Sequence, residues 1–486
     1  MNEAPNQAYI KPSDASSWAL CARRVWLDNY SDTLGELDAE EVEDAFESLI
    51  IELGLAHEQA VLNQLMKEKS VHTATSPEDT QRLMAEGVDV IYQAQLLDKE
   101  NHFVGYPDFL IRHASGEYQP ADAKLSLSVD KKEIQVQLGF YRRMLSSNLP
   151  AIVFLGDGDT AEIGDEANPV TNQFVTEMRE LLASDKEPPV RYSHSKCRAC
   201  PYYTHCKPVF EAKEEISLLY GVQGRAADGL EKHGINTISE LAASSPESLP
   251  DVPYLKGYEK KQRAILQAQS YFSGEVHQIA PVSLPDGHWV HFDIEDNPLT
   301  GSGEKHVYLW GFLVPDFSNA DFEYVWTDTA KQDRQGWIGF LAKIEKYRER
   351  YSDLILAHYS QHERATIRSY AKRYDMEDNE TVLYLLDGCS AQPSPLFDMQ
   401  KPVLESLVLP LQGYGLKDIC KHEDLVNFQW EDDSSGSQWS VVQFNRFLSE
   451  GNRKTKAQLK AKILGYNRDD VIATRRLEEW LRAKFM

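Results

Sequence analysis

The chain has no apolar run long enough to cross a bilayer, and its first residues, Met1–Ser17, are polar where a secretory leader would carry an apolar core. Both absences predict a protein of the reducing cytoplasm with no membrane partner. Cysteine is scarce, six among 486 residues, and three of the six crowd into Cys197-x2-Cys200-x5-Cys206, a spacing too tight for ordinary disulfide loops. Positive charge is short as well: 51 Lys and Arg face 76 Asp and Glu, a formal net charge of -25. A field of that sign opposes nucleic acid across the whole molecule. Screening over about 8 Å nevertheless leaves local patches in control, such as Lys131-Lys132, Arg142-Arg143 and Arg453-Lys454-Thr-Lys456 with Lys460 and Lys462. There is no Gly-x-x-x-x-Gly-Lys-Ser/Thr, and Gly301-Ser-Gly-Glu-Lys305 lacks its spacing, so ATP-driven unwinding would have to come from a partner.

What is present suits a globular chain of two or three domains, with 42% hydrophobic residues. Phe109–Ile111 and Tyr118–Leu125 read as paired strands around a turn at His113–Gly116. Asp122 and Lys124 are two apart and share a strand face, and Asp108 on the partner strand can join them. Two carboxylates can hold a divalent cation, and a neighbouring lysine can orient or deprotonate a water. Upstream, Gly54-Leu-Ala-His57-Glu58 falls on an amphipathic helix beginning near Glu40, so His57 can supply a third ligand. Downstream, Gln137 and Tyr141 are i and i+4 on the helix after the hairpin.

In order, these motifs resemble the RecB-like branch of the PD-(D/E)XK nucleases. The resemblance implies a restriction-endonuclease-like domain in which His57, Asp108 and Asp122 hold Mg²⁺ or Mn²⁺, Lys124 assists the water, and Gln137 and Tyr141 complete the site.

Thiolates spaced like Cys197, Cys200 and Cys206 bind zinc or an iron-sulfur cluster and need a fourth ligand. Cys21, in a short helix ahead of the nuclease motifs, is the best candidate. One cysteine before the core and three after it is similar to RecB-like nucleases with a 4Fe-4S cluster, including AddB-type subunits and the CRISPR-adaptation exonucleases; zinc is the lesser alternative. Further elements of this first domain, residues 1–210, are a strand at Ala151–Leu155 and a helix at Asn172–Leu182. A connector at 211–275 follows, where Gly221-Val-Gln-Gly224 between two helices reads as a helix-hairpin-helix and Lys256–Tyr271 as one more helix.

From about residue 276 strands alternate with helices: His288–Glu295, His306–Val314, Phe322–Thr327, a helix at Trp337–Arg350, then Leu354–His358. Asp293 and Glu295 share one side of the first strand, Glu363 begins the helix after the fourth, and Tyr466 and Asp470 are i and i+4 on a late helix. This resembles the DnaQ-like, DEDDy exonucleases of ribonuclease-H-like fold, and Gly413-Tyr-Gly415-Leu-Lys417 their YprB-type variants. The resemblance implies two cations held by Asp293, Glu295, Glu363 and Asp470, water positioned by Tyr466, and 3′ to 5′ polarity. Glu363 stands where most relatives carry Asp, and Asp398 is an additional candidate ligand.

The expectation is therefore an α/β multidomain chain: a PD-(D/E)XK domain with an iron-sulfur cluster, a helical connector, and a ribonuclease-H-like domain at 276–486. Its expected substrate is single-stranded DNA or DNA ends, with a helicase or defence-complex subunit as a further partner. The rival expectations are a nucleic-acid-binding scaffold with silent sites and a ribonuclease at the second site.

Overall fold

A computed structural model describes residues 9–30, 45–300, 303–314, 322–389, 392–431 and 438–486. The chain divides into two compact units: Met1–Arg191 with Ser195–Pro208 and Gly301–Gly303, and Tyr192–His194 with Val209–Thr300 and Glu304–Met486. Residues 209–300 thus go with the second unit.

The first unit is built on a mixed sheet whose six strands lie in chain order: β1 (Val71–Thr73), β2 (Val90–Tyr92), β3 (Phe109–Arg112), β4 (Tyr118–Ala123), β5 (Ala151–Phe154) and β6 (Thr160–Ile163). The β1–β2 and β4–β5 pairs are parallel and the others antiparallel. Alternation along β3 and β4 sorts side chains to two helices. Phe109, Ile111 and Ala121 meet Val61 and Leu62 of helix Ala45–Glu68. Leu110 packs with Ile134, Leu138 and Tyr141 of helix Lys132–Met144 on the other face. The helix start expected near Glu40 lies outside the described residues.

The second unit carries a five-stranded sheet in the order β9-β8-β7-β10-β11, where β7 is His288–Asn297, β8 His306–Leu313, β9 Phe322–Trp326, β10 Leu354–His358 and β11 Leu396–Asp398. The first three are antiparallel, while β10 and β11 run parallel to β7. Val290, Phe292 and Ile294 of β7 face helices Asp333–Arg350 and His362–Arg373, in a core centred on Trp310, Trp337 and Phe340. The odd-numbered residues of β7 face the other way. There Trp289 joins Ala473, Leu477 and Leu481 of the 33-residue helix Arg453–Phe485.

One expectation in the 211–275 stretch needs correction. The segment before Gly221-Val-Gln-Gly224 is a single 3-10 turn, Ile216–Leu218, and not a helix. Ile216, Leu218 and Leu219 are all fully buried, three inward side chains in four positions that an amphipathic α-helix would splay apart. Helices Arg225–Lys232, Ile238–Ala242 and Tyr258–Ser273 follow. Among the described residues no helix is long and apolar enough to cross a membrane.

Candidate metal centres

In the second unit the period of β7 turns Asp293 and Glu295 toward helix Arg453–Phe485, which brings Asp470. The three carboxylates offer ligand atoms within 4.8 Å of one another, the one such group among the described residues. The helix can come this close because β8 has no side chain at Gly311, where a Cβ would stand 1.7 Å from Asn467 Oδ1. Asn467 Nδ2 donates to Asp293 Oδ2 at 2.7 Å and to Glu295 Oε1 at 3.4 Å. Ser440 Oγ donates to Glu295 Oε2 at 2.5 Å, and the Trp430 indole to Asp470 Oδ1 at 2.9 Å.

Three acids held together, Glu295 buried and Asp293 and Asp470 partly so, repel one another. Burial, then the charge of Asp470, raises the Asp293 carboxyl well above the usual range. The same two causes lift Glu295 to about 8, and burial lifts Asp470 to about 6. A site that favours protonated carboxyls lacks positive charge, which a divalent cation would supply.

Tyr466 lies one turn before Asp470 on the same helix. Lys417 Nζ donates to its hydroxyl at 2.8 Å and lies over its ring at 4.5 Å, while the Trp439 ring is 5.2 Å away. Glu363 stands apart from the three-acid group. It is buried, with Oε2 3.1 Å from His358 Nδ1, yet its charge is among those felt by Asp293. Asp398 spends its oxygens on the turn after β10: Oδ1 accepts the amides of Ser360 at 2.8 Å and Gln400 at 2.9 Å, and Oδ2 accepts Gln361 Nε2 at 2.8 Å. Ser360 has φ +77°, so Asp398 serves to hold a left-handed turn.

In the first unit Asp108 and Asp122 are cross-linked through main chain. Asp122 Oδ1 accepts the Asp108 amide at 3.0 Å, and Asp108 Oδ2 accepts the Ala123 amide at 2.8 Å. Lys124 Nζ lies 2.9 Å from Asp122 Oδ2, and Asp122 is fully buried. Burial, then Asp122, pushes Asp108 up to about 8. Gln137 Nε2 donates to the Tyr141 hydroxyl at 3.2 Å, which donates to the Tyr106 carbonyl at 3.1 Å. His57 Nε2 is 3.0 Å from the Phe154 carbonyl. Its neighbour Glu58 accepts from the Tyr92 hydroxyl at 2.8 Å, and its charge reaches both Asp108 and Lys124.

Cys21 ends helix Ala15–Leu20, and its charge is felt by Cys200. Cys200 is felt in turn by Cys206, whose Sγ is 3.9 Å from Arg23 Nη1. Burial pushes both the Cys200 and Cys206 thiols up. Cys197 heads the turn that delivers Cys200, whose amide donates to its carbonyl at 3.0 Å. Cys389 is exposed and Cys420 buried.

Sequence reading passed over Glu58, Asn467 and the position of Lys417 beside Tyr466. The signals were adjacency to His57, adjacency to Tyr466, and the Gly413–Lys417 motif.

Residues 290–482 match the family model of the RNase_H superfamily. The solved structure "Crystal structure of SSO0001" is 15% identical over 43% of this chain and 89% of that one, with a TM-score of 0.27, too slight a likeness to bear on the fold. No curated protein matches the chain. The C-terminal unit therefore contains a ribonuclease-H-like domain, which points to nuclease-type activity, with an acidic triad that could bind metal.

Proposed function

We propose that the chain is a metal-dependent nuclease with two active centres, acting on DNA ends or single-stranded DNA in repair, processing or defence. The observation that carries this is the convergence of Asp293, Glu295 and Asp470 beside Tyr466. Mg²⁺ or Mn²⁺ held by these acids would neutralise the phosphate and acidify a water. Asn467, Ser440 and Trp430 keep the carboxylates in place by donating to them. Tyr466 orients the attacking water through a hydroxyl that Lys417 anchors. Glu363 is the fourth acid, reaching the site by leaving His358. The polarity is 3′ to 5′, by likeness to DEDDy enzymes.

At the RecB-like centre Asp108 and Asp122 hold one cation, with His57 as the expected third ligand and Glu58 as its competitor. Lys124 works on the water, and Gln137 and Tyr141 steady that wall of the site. A carboxyl lifted to about 8 at Asp108 supports the reading, because it marks a place short of positive charge. Cys21, Cys197, Cys200 and Cys206 carry a 4Fe-4S cluster. Zinc on the same four thiolates is the lesser alternative. Unwinding would come from a separate helicase or defence-complex subunit.

The test is incubation of 3′- and 5′-end-labelled single-stranded DNA with protein and Mn²⁺, with and without EDTA, beside an RNA of the same sequence. Stepwise shortening from the 3′ end, lost in EDTA and in Asp293→Asn, is the expected result. Binding without degradation would replace the proposal with a scaffold, and degradation confined to RNA would replace the DNA substrate.

A further inference from the structure

The helix that supplies Tyr466 and Asp470 begins with sixteen residues, 453–468, that include six Lys and Arg and no acid, in a chain with 76 acidic residues. Among the described residues, Lys454, Lys456, Lys460 and Lys462 form no ion pair. Two of them lie on aromatic rings instead: Lys456 Nζ is 4.4 Å from the Phe447 centroid, and Lys460 Nζ is 4.7 Å from Trp326 and 5.8 Å from Tyr324. Tyr324 and Trp326 belong to β9, the edge strand, and Tyr324 is 41% exposed. The one acid felt by Lys460, Asp328, accepts the Trp326 indole N–H at 2.7 Å. Trp326 and Trp439 border the same apolar cluster, and Trp439 is the residue against Tyr466. Lys456 and Lys460 with these ring faces thus form a margin on one flank of the helix segment, about 20 Å long, that leads to the acidic triad, while exposed Lys454 and Lys462 point round its other side.

We propose that this margin seats the body of a single-stranded polynucleotide whose end lies in the triad; the inference rests on reading the triad as the nuclease centre. Ammonium groups spaced along a helix answer phosphates, and exposed rings answer bases whose faces are free only when unpaired. An arriving base takes the ring face now covered by Lys460, and the ammonium passes to the adjacent phosphate. The arrangement also explains how a chain of net charge -25 can hold a polyanion, because the attraction is confined to one lysine-rich margin within screening range.

The test is fluorescence anisotropy with a labelled 12-nucleotide oligothymidylate in EDTA, so that nothing is cleaved, comparing the whole protein with Lys456→Glu/Lys460→Glu and with Tyr324→Ala, each checked by its melting curve. The double variant should bind about tenfold or more weakly at 0.1 M salt and flatten the dependence of log Kd on log salt by roughly 1 to 2. Tyr324→Ala should weaken binding about fivefold or more with the salt slope unchanged. Hydrolysis of the p-nitrophenyl ester of thymidine 5′-phosphate, too small to reach the strip, should be as in the parent. Parent-like oligonucleotide binding by both variants, or loss of ester hydrolysis in the double variant, overturns the inference. If the parent itself leaves the ester intact while oligonucleotide binding changes as stated, the nuclease reading fails and the binding strip stands.

Discussion

The ammonium of Lys417 is 2.8 Å from the phenol oxygen of Tyr466, and the two side chains also stack cation on ring. Burial holds Lys417 below its usual value, and burial, with Asp470 next, raises Tyr466. If the lysine acts by fixing that hydroxyl, Lys417→Ala should lower the cleavage rate roughly 10²-fold. Adding Tyr466→Phe should then cost nothing more than Tyr466→Phe alone. The double-mutant cycle is the measurement, and additive losses would assign Lys417 to something other than Tyr466.

The buried acids make stability depend on pH in a definite direction. Asp108 and Glu295 titrate near 8 and Asp470 near 6 in the folded chain, all above the unfolded range near 4. Between about pH 4 and 8 the folded state therefore holds protons that the unfolded state has released, so stability falls as pH rises through that window. The metal-free protein should melt several degrees lower at pH 8.5 than at pH 5.5, and Glu295→Gln should shrink the difference. Mn²⁺ should raise the melting temperature more at pH 8.5, where it displaces fewer protons.

Lys124→Ala removes the cation paired with Asp122 at 2.9 Å. It should abolish cleavage at the first centre and leave 3′ to 5′ shortening intact, separable on substrates with a blocked 3′ end. Loss of both activities would mean that the centres are not independent. At the same centre Glu58→Gln should weaken Mn²⁺ binding more than His57→Ala, since the Glu58 charge reaches both Asp108 and Lys124.

Protein purified without oxygen should be brown, with a broad absorbance near 400 nm as is usual for iron-sulfur proteins. Cys21→Ser should bleach it. A colourless protein containing one equivalent of zinc would select the alternative metal.

Much of the second unit was legible because a strand has period two. Asp293 and Glu295 had to share a face, and apolar runs marked the strands that carry it. Asn467 was not legible, since its place opposite Gly311 depends on two elements more than 150 residues apart lying in contact. Placing His57 and Glu58 relative to the sheet required the roll of helix Ala45–Glu68, which is set by where Val61 and Leu62 meet the sheet. Adjacent helical residues point about 100° apart, and no local pattern says which one faces inward. Asp398 read as a ligand because an acid at a strand end looks the same whether it serves a metal or a turn. Its three donors, on Ser360, Gln361 and Gln400, show the turn that it holds, which no local pattern reveals.

Gly311 carries no charge and is not a ligand, yet one methyl group there would collide with the amide that spans Asp293 and Glu295. The triad is thus gauged by an empty volume on the neighbouring strand, and Gly311→Ala should silence it through size alone. That substitution offers a tool that carboxylate replacements cannot: an inert protein with every acid retained and its net charge unaltered, suited to holding substrate without consuming it.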